Sequence, residues 1–449
     1  MSQSSSSSTN QLLKLLGVGF GIAVTIGGTI GTGILRKPGP IAAQLGDISL
    51  IMGVWIAVSI YALLGSLCAV ELGVSIPKAG AWYVYARRAF GKYVGFFTGI
   101  TSWLGTVTSL GFGAYTISEY LGLLFPAVND WLIVSSILIL LVLTALHMIG
   151  TAVGGRSQEL VSFIKALALL AFVAFCFIKG EASWSNPSQI ENVAKSGLFV
   201  AILGALQAVF YTFDGWHTAA YFAEENTDST RNLPKAMISG VLLIIFIYLL
   251  VNLAIFYVLP LEELAQSKLA AADAVTKLAG ESAGKWVTLF LLISILGLMN
   301  AQVMFAPRVL FSMSRDGLFF KQITRVNKGG SPSNALLVTC FLSIVLVVSG
   351  KETSGRLSDI ATFFFVMSYA MGFASLLKLR KSEPGLPRPF KVPFYPFLPV
   401  FMLICSLAFL VGTIISDWQN SMYAVIFLCL TYPLYLLLKA KDPAADVAE

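Results

Sequence analysis

Twelve apolar windows of about twenty residues each follow one another along this chain, and no water-soluble domain buries that many. Their approximate edges are 11–36, 49–76, 92–122, 131–150, 158–179, 196–222, 236–259, 286–313, 334–350, 358–378, 395–416 and 421–438. Of the 449 residues 57% are apolar and 12% charged, where soluble proteins run at roughly 45–50% and 25%. In hydrocarbon every backbone group needs a partner inside the chain, so windows of this length read as helices. The expectation is an all-α polytopic membrane protein of about 12 transmembrane helices forming one domain over 11–438. The longest loops, near 180–195 and 260–285, leave no room for a soluble domain.

The first window is broken in its middle. Gly27-Gly28-Thr29-Ile30-Gly31-Thr32-Gly33 carries four glycines in seven residues. Unpaired backbone groups in hydrocarbon cost roughly 2–7 kcal/mol each, so such a break survives only where it faces protein or a polar cavity. A second break, Phe213-Asp214-Gly215-Trp216-His217, interrupts the sixth window with an acid, a glycine and one of only two histidines. Interrupted helices in corresponding positions of two halves point to the substrate site of a secondary transporter. The expected organisation is repeat one over about 11–179, repeat two over about 196–378, and extra spans over about 395–438.

The net charge of +7 is spread through short loops rather than gathered on one face, so it gives topology and argues against nucleic acid as a partner. With both termini inside, cytoplasmic loops and span ends hold 20 of the 30 Lys and Arg and outer ones nine, with Lys165 inside the fifth span. Residues 1–10 are serine-rich and uncharged, lack the basic start of a signal peptide, and read as a disordered cytoplasmic tail; 439–449 form a second. Trp131, Trp286 and Trp418 fall near span ends as interfacial anchors. Cys68, Cys176, Cys340, Cys405 and Cys429 lie in apolar runs without CxxC spacing, so no disulfide framework, metal site or cofactor is expected. With two histidines and scattered cysteines, the constellations of a membrane hydrolase are missing.

Gly31-Thr32-Gly33-Ile34-Leu35 followed by Pro38-Gly39 resembles the GSGIF-type motif in the first helix of the amino acid-polyamine-organocation (APC) superfamily of transporters. Pro77 to Tyr85 resembles that family's loop after the second span, and Phe213 to Ala236, with Glu224-Glu225 and Arg231-Asn232-Leu233-Pro234, its broken sixth span and following loop. Pro384 to Pro393 resembles the loop before span 11 in the L-type amino-acid transporter branch. The resemblance implies the leucine-transporter-type 5+5 inverted repeat, with substrate held in the lipid bilayer between broken helices 1 and 6. In that family an aromatic at the position of Tyr211 closes over the substrate from outside. In its sodium-independent members a lysine at the position of Lys165 stands where sodium-coupled relatives bind a cation.

The residues suit the same site. The half-helix starting near Thr32 or Gly33 offers free N–H groups and a positive dipole end to a substrate carboxylate. Carbonyls around Ile26, Thr29, Tyr211 and Asp214 are placed to accept from its ammonium. Side chains at Gly31 or Gly33 would hold the ligand away. Thr212, Asp214 and Gly215 line the pocket; Asp214 either selects cationic substrates or, the favoured reading, caps the second half of span 6. His217 is read as a hydrogen-bonded residue rather than a proton carrier. Lys165, costly by about 2.5–3.5 kcal/mol at a helix centre, is expected to reach the span 1 break and the span 8 backbone; the plainer reading is snorkelling to the interface. Asn300, paired with Gln302, is expected near Lys165 or the pocket, Thr106, Thr108 and Ser109 along the path, and Glu71 with a loop Arg or Lys. The whole reads as a sodium-independent secondary transporter of amino acids, neutral L-amino acids favoured, working by alternating access as an exchanger or with a proton. The alternatives are a carrier of cationic amino acids or polyamines, and a membrane nutrient sensor that binds without flux. No cysteine lies in an outside loop, so no disulfide-linked partner subunit is expected.

Overall fold

The computed structural model describes residues 11–181, 197–416 and 418–440. The expected tail 1–10, most of the expected tail 439–449 and most of the loop near 180–195 lie outside the described residues. The chain forms helices throughout: α1 (Val18–Thr29), α2 (Gly33–Arg36), α3 (Pro38–Leu45), α4 (Ile48–Ser75), α5 (Trp82–Phe90), α6 (Lys92–Leu124), α7 (Leu132–Ile149), α8 (Thr151–Lys179), α9 (Leu198–Phe213), α10 (Ser229–Val258), α11 (Leu261–Gln266), α12 (Ala270–Ala279), α13 (Glu281–Arg315), α14 (Ser333–Val348), α15 (Lys351–Ser382), α16 (Phe397–Ser416) and α17 (Trp418–Ala440). Each expected span falls on helix, and among the described residues nine helical stretches are long and apolar enough to cross a membrane.

The third span, α6, is not among those nine, because its length is filled with threonine, serine and glycine. Its hydroxyls bond back to the carbonyl four residues earlier, as Thr98 does to Val94, Thr106 to Ser102 and Thr116 to Phe112. That self-satisfaction lets a polar helix run through the interior, where α6 packs against α7, α13, α14 and α15. α1 packs on α8, α10 and α13, and α16 and α17 lie at the rim.

Three boundaries depart from expectation. The first span does not start at residue 11. Leu15 and Leu16 instead run extended and pair with the chain after span 6, through Glu225 O (3.0 Å to each N–H) and Thr227 N–H (2.9 Å to Leu16 O). It also continues past 36, since Pro38 sits at the start of α3 and runs on to Leu45 before Gly46 turns left-handed at φ 59°. α10 starts at Ser229 rather than 236, with the Asp228 carboxylate accepting from Arg231 N–H and Pro234 tolerated in the early turns. Trp131, Trp286 and Trp418 are 64%, 73% and 64% exposed. Each sits at or near the start of an even-numbered span (4, 8 and 12), which puts all three at one membrane face.

Candidate functional site

The two breaks meet backbone to backbone. α1 stops at Thr29, Ile30 caps it with its N–H on the Ile26 carbonyl at 2.8 Å, and α2 restarts at Gly33 with Thr32 as its N-cap. In the sixth span α9 stops at Phe213, and a 3-10 turn resumes over Thr218–Phe222. Between them Gly215 takes φ +116°, and a Cβ there would run into the Gly28 carbonyl and come within 2.8 Å of the Thr29 nitrogen. Only glycine meets both demands. A Cβ on Gly33 would stand 2.6 Å from Thr212 Oγ1 and one on Gly31 would stand 3.1 Å from Leu298, so these glycines also let the spans touch.

Beside the junction is a cavity of ≈ 40 Å³ lined by Gly28, Thr29, Gly31, Thr32, Gly33, Ser109, Tyr211, Thr212, Asp214, Leu298, Gln302 and Phe365. Thus Thr29, Gly31, Thr32, Gly33, Tyr211, Thr212 and Asp214 come together on its wall, with Gly215 behind against Gly28. Ile26 is buried away from it, and of the three α6 hydroxyls only Ser109 reaches it. At roughly 10–15 Å³ for each water such a space takes only a few, so room for an amino acid requires the walls to part.

The break carbonyls are not free. Ile26 O accepts from Ile30 N–H and Tyr211 O from Asp214 N–H at 3.3 Å. Tyr248 Oη of α10 lies 3.2 Å from Thr29 O and 3.0 Å from Thr212 O, one hydroxyl spanning both breaks. Ser294 of α13 reaches Ile30 O and Gly31 O at 3.3 and 3.2 Å. What Thr29 keeps for a ligand is the second lone pair its carbonyl oxygen carries. Sequence reasoning missed Tyr248 and Ser294, whose types look like ordinary packing inside apolar helices. Trp55 and Phe213 hold the Tyr248 ring, with centroids at 5.8 and 4.9 Å.

Lys165 is fully buried and donates to Gly27 O at 3.1 Å, with Gly297 of α13 leaving room for its chain. It does not snorkel. Asn300 lies outside the cavity. Its Oδ1 is 2.9 Å from His147 Nε2 and accepts from Ser157 at 3.2 Å, while its Nδ2 donates to Gln158 at 2.6 Å. Gln158 bonds Ser162, which reaches Ala23 O at 2.6 Å, so a buried polar chain ties α7, α8 and α13 to α1. The cap expected of Asp214 does not form, since the 3-10 turn has no side-chain cap; its carboxylate accepts from Tyr369 Oη of α15 instead. His217 is packed among Trp82, Trp216 and Tyr369, and its Nδ1 has no hydrogen-bond partner among the described residues.

The face where α1 and α10 begin and α13 ends is held by ion pairs. Arg308 grips Glu225 with two bonds of 2.9 Å, 3% and 0% exposed, and also reaches Thr151 at 3.1 Å. Arg315 grips Glu224 at 2.6 and 2.9 Å, and Glu224 accepts from Ala79 N–H at 2.9 Å. Asp316 takes Tyr83 and Arg87 of α5 at 2.8 and 3.1 Å. Glu71 takes Arg380 at 2.7 and 2.6 Å, with Arg388 at 3.5 Å and the Val392 N–H at 2.6 Å. Planar, two-point guanidinium–carboxylate pairs are strong and directional.

Comparison with known proteins places the sequence among amino acid permeases. Residues 21–432 match the family described as "Amino acid permease". The serine/threonine exchanger SteT of Bacillus subtilis (strain 168) is 28% identical over 440 residues, covering 96% of this chain and 98% of that protein. The b(0,+)-type amino acid transporter 1 of Mus musculus is 29% identical over 437 residues, 94% and 87% covered. The large neutral amino acids transporter small subunit 2 of Homo sapiens is 28% identical over 416 residues, 87% and 76% covered.

Proposed function

The chain belongs to the amino acid permease family, a multi-pass membrane protein that transports amino acids, and from that premise we propose a sodium-independent exchanger of neutral L-amino acids working by alternating access. The observation that carries the reading is the junction of the two helix breaks beside a small cavity. There the substrate carboxylate lies against the first N–H groups of the restarted span 1 at Thr32 and Gly33, and its ammonium against the main-chain carbonyls of Thr29 and Tyr211. Exchange is favoured over proton coupling by the exchanger SteT among the relatives. Lys165 fastens the span 1 break through the Gly27 carbonyl, in place of a coupling cation. Neutral substrates are favoured because Asp214, the one carboxylate on the cavity wall, is engaged by Tyr369. In this reading the five-plus-five repeat spans 11–179 and 196–378, both termini are cytoplasmic, and the ion-paired face is the inner gate.

The test is uptake of labelled neutral amino acid into proteoliposomes in sodium-free buffer, with and without unlabelled amino acid inside. Uptake that requires internal substrate establishes exchange. An acid-outside gradient that drives uptake into empty vesicles replaces it with proton symport, and binding without any flux replaces it with a sensor.

A further inference from the structure

The cavity has two unlike walls. One is made by the helix breaks, whose main-chain groups suit any amino acid. The other is made by Ser109 of α6 and by Leu298 and Gln302 of α13, with Phe365 of α15 beside them. Leu298 and Gln302 stand four residues apart and so share a helix face. Gln302 is 6% exposed, its Nε2 donates to Ser109 Oγ at 2.8 Å, and its Oε1 is buried with no hydrogen-bond partner among the described residues. Native structures rarely leave such an acceptor unmade, because its lost hydration is uncompensated. On the wall of a substrate cavity, the natural group to complete it is the substrate. We propose that Gln302 and Ser109 form the side-chain subsite, and that it selects amino acids with a short hydroxyl-bearing side chain over apolar ones of the same shape. This rests on the transport reading above.

The chemistry follows from counting donors and acceptors. Ser109 accepts from Gln302, so its own O–H remains to donate, and the pair offers one acceptor and one donor on neighbouring atoms. Turning the amide over exchanges the roles: Ser109 then donates to Oε1 and keeps its lone pairs, and Nε2 takes the unpaired position. The offer of one donor and one acceptor is unchanged. A hydroxyl presents the same complement in a single atom. A methyl group fills the space and leaves both partners unpaired. This second wall carries no carboxylate to hold a cationic side chain, the cavity's Asp214 on the other wall is engaged by Tyr369, and Phe365 and Leu298 limit the side chain's length.

The experiment compares threonine with valine, which differ by hydroxyl against methyl. Proteoliposomes loaded with serine are assayed for uptake of each, as kcat/KM, in wild type, Gln302→Leu and Ser109→Ala. Wild type is expected to prefer threonine by ~10-fold or more, the discrimination a site built around a hydrogen bond supplies. Gln302→Leu is expected to bring the ratio toward one, mainly through the KM for threonine, and Ser109→Ala to lower it in the same direction. A wild-type ratio near one, or a ratio that neither variant moves, overturns the assignment. Should Gln302→Leu fail to fold, the milder Ser109→Ala decides by the same criterion. Folded wild type that takes up no amino acid overturns the transport reading and this one with it, a result distinct from uptake without discrimination.

Discussion

Lys165 of α8 and Tyr248 of α10 do the same physical task at the span 1 break: each supplies a side-chain donor to a carbonyl that the interrupted helix cannot satisfy. Lys165→Ala leaves Gly27 O without its side-chain partner, so exchange is expected to fall ~10-fold or more, the scale of one such bond. Substrate binding falls less, which equilibrium binding measured beside flux will separate. Tyr248→Phe keeps the ring between Trp55 and Phe213 but strips the donor from both breaks. Thermal unfolding in detergent is expected to show a loss of about 1–3 kcal/mol, and unchanged stability would mean that the breaks hold without it. The lysine was legible in the sequence because a cation amid apolar residues has no cheap explanation. The tyrosine was not, because an aromatic in a membrane helix carries no mark of what its hydroxyl touches. Asn300 shows the converse: its polarity was visible, yet its partners, His147 and Gln158, come from two other helices.

At the scale of elements, the paired breaks were the most readable feature, since glycines at membrane depth permit few structures. What glycine does at each position was not readable. Gly215→Ala would force an L-residue to φ +116° and drive its Cβ into the Gly28 carbonyl. The left-handed conformation alone costs roughly 1–2 kcal/mol, and the clash must part the two spans. Exchange is therefore expected to be lost, with a lower unfolding temperature. Gly53→Ala in α4 is the control, because a Cβ there meets nothing within 4 Å; its flux should match wild type. Equal flux in both variants would refute the need for backbone contact between the breaks. The start of span 1 misled for a related reason. Leu12, Leu13, Leu15 and Leu16 look like helix, but pairing of Leu15 and Leu16 with residues 225–227 claims that backbone, and such a contact leaves no local trace.

For the whole molecule, alternating access requires that one face open while the other holds, and the two neighbouring carboxylates at the ion-paired face are unequal in that. Glu225 and Arg308 are almost wholly buried, and removing one partner of such a pair strands the other charge at a cost of roughly 3–5 kcal/mol. Glu225→Gln is accordingly expected to impair folding, seen as loss of monodisperse protein. Glu224 and Arg315 are 21% and 31% exposed, a clasp suited to opening. Burial would raise the Glu224 carboxyl, but the bonds from Arg315 and the Ala79 N–H, with the charges of Arg315 and Lys78, outweigh it and hold it below the ordinary range. A carboxyl lowered in this way contributes fully above its ordinary value and loses its contribution only as pH falls through the lowered one. Between about pH 5 and 8 the clasp therefore does not titrate, and the difference between wild type and Glu224→Gln should be constant across that range. The variant is expected to open more readily. A cysteine placed at Thr29 and alkylated from the ion-paired face should react ~2- to 5-fold faster in it, the scale of a partly exposed pair. An unchanged rate would assign closure of this face to the remaining ion pairs, those of Glu225, Asp316 and Glu71, and a pH-dependent difference would make Glu224 a proton-binding group rather than a clasp.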